Sequence, residues 1–133
     1  MSHADEVKIL KKGARAFYRR ALESLNDGDD DIASFLSEQA VQLELKSILL
    51  EEFGDYPKLH SISNLISILR KTRKHEPLIK FFDENRLKIC LMEDAYILSR
   101  YVIREYTKEE AETLLEVAEE VLKYGEVHWY FVG

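Results

Sequence analysis

The sequence predicts an all-α protein, and three observations carry that expectation. Apolar residues recur at helical spacing in segment after segment, and no segment alternates convincingly as a half-buried strand would. The two prolines, Pro57 and Pro77, both fall between the periodic runs. Gly28, Gly54 and Gly125 each follow a periodic run, where glycines commonly end helices. The expected architecture is an antiparallel up-and-down bundle of about five to six helices with short connections.

The elements follow in order. The first helix is expected over about Asp5–Asn26, with Val7, Leu10, Ala14, Phe17, Ala21 and Leu25 as its stripe. Gly13 within it marks either a mild weakness or a close-packing point. Asp29, Asp30 and Asp31 start the second helix, where an aspartate caps free amides and complements the dipole; the surrounding NDGDDD lacks calcium-loop spacing. That helix reaches roughly Glu52, and GDYPKL connects it to a third, ISNLISILRK, with Ile62, Leu65, Ile66 and Leu69 inward and Ser61 as its cap. A short helix around Leu78–Phe82 and a longer one from Arg86 to about Arg104 come next. Thr107 and Glu110 make a capping box for the last helix, which carries Ala111, Leu114, Leu115, Ala118, Val121 and Leu122.

The second helix has a flaw. Wound at roughly 100° per residue, it puts Ile32, Phe35, Leu36, Leu43, Leu50 and Phe53 on one side, with Gln39 and Lys46 near the middle of that side. Lys46 either lets its amine reach water along its methylenes or, if it is inside, needs a carboxylate partner or a phosphate. Gln39 supplies hydrogen bonds along the same line.

Bulk composition bounds the rest. The 133 residues suit one domain, 1–133, and 46% hydrophobic with 33% charged residues fits a folded, charge-rich chain. No apolar run is long enough to span a bilayer and MSHADEVKIL has no signal-peptide core, so a cytoplasmic, membrane-free protein is expected. A net charge of −6 argues against broad nucleic-acid-backbone binding but leaves room for a local site. Cys90, the one cysteine, excludes an internal disulfide and is expected to be a small buried thiol in KICLMEDAYIL. His3, His60, His75 and His128 have no zinc spacing, no glycine-rich phosphate loop is present, and neither a metal nor another cofactor is expected.

Two further clusters stand out. Glu93, Ile97, Arg100 and Arg104 share a helical face, so the Arg100 guanidinium needs a carboxylate or a phosphate in an otherwise apolar helix. RKTRKHEP gathers Arg70, Lys71, Arg73, Lys74 and His75 as a solvated connector or a phosphate- or RNA-contacting loop. The end of the chain, 126–133, holds Trp129, Tyr130 and Phe131. Such an aromatic tail is expected either to fold back or to be covered by another subunit.

The run F-L-S-E-Q-A-V-x-x-x-L-K-x-x-L-L-x-x-x-G, then P-K-L-H-S-I-S-N-L, then Y-x-x-S-R-Y before an E-E-A helix, resembles the HEPN domain family from about Phe17 to Leu122. Those small all-α proteins of bacteria and archaea often stand beside or are fused to a minimal nucleotidyltransferase. The resemblance places Gln39, Ala40 and Lys46 in the family's Gln-Ala and Lys positions, His60 at its histidine and Arg100-Tyr101 at its Arg-Tyr. Val102 replaces the usual proline, and Gln42 replaces a frequent glutamate, removing one partner for Lys46. It implies a homodimer acting as a nucleotide- or RNA-related binding subunit of a nucleotidyltransferase in a toxin–antitoxin-like pair. In that reading Lys46, Arg100, His60, Gln39 and Tyr101 line the ligand or phosphate site, and Trp129, Tyr130 and Phe131 the interface. The alternatives are a metal-independent endoribonuclease and a purely structural dimeric module. The ribonuclease pattern of Arg, four to six residues, then His is absent after Arg100 and Arg104, and is met only by Arg70 and His75, in a connector.

Overall fold

The computed structural model describes residues 2–58, 61–101 and 105–132, and the side chains of all of these except 97–101 and 128–132. The described residues form α1 (His3–Asn26), α2 (Asp30–Phe53), α3 (Ile62–Leu69), α4 (Glu76–Glu84), α5 (Arg86–Tyr101) and α6 (Lys108–Val132), with no strand among them. The expected all-α bundle is therefore the fold.

Local chemistry accounts for the helix ends. The Ser2 hydroxyl accepts from the Asp5 amide at 3.2 Å to open α1, and the Ser61 hydroxyl accepts from the Asn64 amide at 3.2 Å to open α3. Thr107 and Glu110 form the reciprocal box before α6: the Glu110 amide donates to Thr107 Oγ1 at 3.1 Å and the Thr107 amide to Glu110 Oε1 at 2.9 Å. Gly54 closes α2 in the left-handed conformation, φ 74°.

α1 and α2 form an antiparallel hairpin, with His3 beside Gly54 at its open end. The Tyr106 amide donates to Asp31 Oδ1 at 2.6 Å, so the chain re-enters at the start of α2, and α6 then runs alongside α2 with Gly125 against Glu44. α2 is the central helix, packed against α1, α3, α5 and α6. Leu45, Leu49, Ile62, Leu65, Leu69, Leu78, Met92, Leu114 and Val121 are almost fully buried in one core, and Ala21, Ala33, Ala111 and Leu115 make a smaller one. The stripes expected on α1, α3 and α6 all face inward.

Four local expectations are corrected. The α2 stripe is misplaced: Ile32 and Phe53 are 52% and 45% exposed, while Ala40, Val41, Leu45, Ile48 and Leu49 form the core side. Fourteen of the 24 residues of α2 are buried, around much of its circumference, so no single stripe describes it. Asp29 is the α2 N-cap but its side chain makes no capping bond; the aspartate that acts is Asp31, toward Tyr106. Gly125 does not end a helix, because α6 continues to Val132. Cys90 is exposed, since α5 turns Ile89 and Met92 inward and Cys90 falls on the side away from both. The aromatic end of the chain continues the α6 helix, and the side chains of Trp129, Tyr130 and Phe131 lie outside the described ones.

Candidate functional site

α2 carries two polar groups on different faces. On the face whose Glu38 lies near Glu93 of α5, Glu38, Gln42 and Lys46 follow one another at four-residue intervals and therefore stack along one line. Glu38 has no exposure, Gln42 is 3% exposed and Lys46 8%. Gln42 Nε2 donates to Glu38 Oε2 at 2.5 Å, Gln39 Nε2 donates to Glu38 Oε1 at 2.8 Å, and Lys46 Nζ donates to Gln42 Oε1 at 3.5 Å. Glu93 on α5 stands close enough for its charge to act on Glu38, and is itself tied to α3 by the Ser63 amide, which donates at 2.7 Å, and by the Ser63 hydroxyl.

Burial sets the electrostatics here. It pushes the Glu38 carboxyl up to about 7, and Glu93 adds to that, against the pull of the two glutamine amides and of Lys46. Burial also lowers the Lys46 ammonium, opposed by the Glu38 charge. Lys46 is thus inside, as one branch of the expectation required. Among the described residues no carboxylate lies within 4 Å of its amine; its direct contact is the Gln42 amide oxygen. The substitution of Gln42 for glutamate does not leave Lys46 bare: the amide accepts from the amine and donates to Glu38, passing the carboxylate's influence along the helix.

On another face of α2, Glu44 has no exposure and takes Lys11 Nζ at 2.7 Å and Arg15 Nη1 at 3.0 Å. Arg15 also reaches Glu126 at 3.2 Å. Gly125 makes room for this cluster, because a Cβ there would overlap the Glu44 carboxylate. Gly13 is likewise a close-packing point, where a Cβ would meet Leu43 at 3.0 Å.

Arg70 and His75 are held apart by different partners. Arg70 extends both terminal nitrogens to the two Asp83 oxygens on an exposed surface. His75 is 5% exposed, with Nε2 2.9 Å from Glu52 Oε1 and Nδ1 2.7 Å from the Tyr124 hydroxyl. This chain of carboxylate, imidazole and phenol fastens the 70–75 connector to α2 and α6. Burial, with the Glu52 charge, pushes the Tyr124 hydroxyl up to about 12, so it stays a donor or acceptor and not a phenolate.

Of the residues expected in a ligand site, the structure brings Lys46, buried, and Gln39, half-buried, to one side of α2, each hydrogen-bonded to the Glu38–Gln42 pair. His60 lies outside the described residues, and Arg100 and Tyr101 lie on α5 with side chains outside the described ones. Glu38, Glu44, Lys11 and Arg15 are absent from the sequence expectation. The four-residue spacing of Glu38, Gln42 and Lys46 is the available signal for the first; nothing local marks Lys11 or Arg15, whose partner is on the next helix. Among the described residues no three His, Cys, Asp or Glu side chains are grouped to hold a metal ion, and no helix is long and apolar enough to cross a membrane.

The fold matches solved structures. TT1696 from Thermus thermophilus aligns over 90% of this chain and 95% of its own, with 25% identity and a TM-score of 0.69. ST0689, described as an archaeal HEPN homologue, aligns over 92% of this chain and 96% of its own, with 24% identity and a TM-score of 0.68. No curated protein sequence matches the chain. The family model for the HEPN domain matches residues 7–128, which take in all of α2 through α5 and most of α1 and α6, and the chain belongs to the HEPN domain family.

Proposed function

We propose that the chain is a binding subunit whose ligand site is the α2–α5 face, where Lys46 receives a phosphate of a nucleotide or of RNA. The observation that supports this is the buried amine of Lys46, matched by an amide oxygen at 3.5 Å and by no carboxylate within 4 Å among the described residues. An ammonium so placed gains from any anion that reaches it, because burial weakens its competition with water. Gln39 adds a donor, and Arg100 and Tyr101, which follow on α5, complete the site in this reading. Association with a minimal nucleotidyltransferase in a toxin–antitoxin-like pair, and homodimer formation through Trp129, Tyr130 and Phe131, belong to the same proposal. Val127, 52% exposed on the turn before those aromatics, supports an interface there.

Titration calorimetry with ATP, GTP and a short RNA tests the site. The wild-type chain is expected to give heat with at least one of them, and Lys46→Met, with its circular dichroism unchanged, is expected to give none. Absence of heat for the wild type at millimolar ligand rejects the reading.

A further inference from the structure

We infer a second binding site, independent of the α2–α5 face, in the cavity between α3, α4 and α5: a seat for a small amphipathic anion, one carboxylate or phosphate head on a short apolar body. The cavity measures about 340 Å³. Ile66, Phe82 and Ile89 form its apolar wall, and Arg70, Asp83 and Arg86 its polar rim. That volume is at the small end of the range for ligand pockets, and the mixture of an apolar wall with a few convergent polar groups is their usual composition.

The rim already displays how an acid would sit. Arg70 Nη1 donates to Asp83 Oδ2 at 3.1 Å and Nη2 donates to Oδ1, the two-pronged arrangement in which a guanidinium receives a carboxylate or a phosphate. Asp83 therefore occupies the place of the ligand's head group. Arg70 and Asp83 are 46% and 48% exposed, and an ion pair so open to water contributes little and exchanges readily. The Arg86 charge also acts on Asp83, so a second cation is within range of an anion in that place. Between Arg70 and Cys90 the chain has seven basic residues against three acidic ones, in a protein of net charge −6, so the segments that line the cavity favour an anion locally. An incoming acid exchanges for Asp83 on Arg70 while its body lies along Ile66, Phe82 and Ile89.

Cys90 supplies the readout. It is the single cysteine, it is exposed, and it lines the same cavity, so its alkylation by neutral iodoacetamide reports whether the cavity is filled. At constant ionic strength, phenyl phosphate or benzoate is expected to slow alkylation saturably, and which of the two does so identifies the head group. Phenol alone is expected to protect far less. Arg70→Ala should weaken protection by about tenfold or more, as loss of a hydrogen bond to a charged group does. Asp83→Asn should strengthen it several-fold, because the internal competitor is gone; a purely structural Asp83 gives the opposite sign. No protection by either acid at millimolar concentration, in both the wild type and Asp83→Asn, overturns the site. So does protection by phenol equal to that by the acids, or weaker binding in Asp83→Asn.

Discussion

Glu38 and Glu44 sit on the same helix, both fully enclosed, and their surroundings have opposite characters. Six residues apart, they point roughly 120° away from each other around α2. Glu44 meets two cations, Lys11 at 2.7 Å and Arg15 at 3.0 Å, and a glycine on α6 leaves the space it fills. Glu38 meets two amides, and Lys46, whose charge acts on it, is reached through one of them. A buried carboxylate clamped by opposite charge is a brace, tying α1 to α2 beside α6. A buried carboxyl solvated by amides is a titrating group, and it leaves its lysine uncommitted. The contrast separates structure from candidate function on one helix.

The largest expected effect comes from breaking the brace. Glu44→Ala leaves the buried Lys11 amine and the Arg15 guanidinium without their shared counter-charge, and should cost about 3–5 kcal/mol in urea denaturation. A loss under about 1 kcal/mol would show that the cluster is solvated and would erase the contrast.

The next concerns Glu38, whose folded carboxyl lies at about 7 against an ordinary 4.5. Between those values the folded state keeps a proton that the unfolded state has released, so stability falls as pH rises through the window. Below it the cost is absent and above it complete, amounting to about 3 kcal/mol. Glu38→Gln should remove this slope and leave the chain more stable than wild type about one unit above the window; parallel pH profiles for the two proteins would contradict the titrating role.

Gly125→Ala sharpens the comparison from the other side of the brace. The added methyl forces the Glu44 carboxylate to move and should cost about 1–3 kcal/mol by denaturant titration. The same change should fall close to neutral in a Glu44→Ala background, as coupled neighbours do.

The smallest expected change in stability belongs to Lys46→Met. Replacing a buried cation that lacks a close carboxylate with an apolar side chain of similar length should leave the melting temperature unchanged or slightly higher. A large loss would instead make Lys46 a brace like Lys11.

Reading the sequence captures the parts of the molecule that obey one face per helix. The stripes of α1, α3 and α6 can be found by spacing because each of these helices leaves a solvent side. α2 defeats the same test: with neighbours around much of its circumference, its apolar residues need no common face, and the long ones at its two ends, Ile32 and Phe53, pull the stripe in the wrong direction. For the same reason Lys46 stands out in the sequence and Glu38 does not; a lysine on an apolar side looks anomalous, whereas a glutamate two residues before Ala40 looks like ordinary surface. Lys11 and Arg15 belong to a helix whose other face is charged, and only their distance to Glu44 sets them apart. The capping residues Ser61, Thr107 and Glu110 need no tertiary information, because their bonds close within four residues.

The absent side chain at position 125 joins two sites that lie 81 residues apart in the chain into a single locus of inheritance. A lineage that acquires a methyl group there is favoured to shorten or lose the acid at position 44, and one that keeps the acid is favoured to keep the gap. Aligned relatives should therefore contain glycine with glutamate or neither, and the mixed combination should be the rare one.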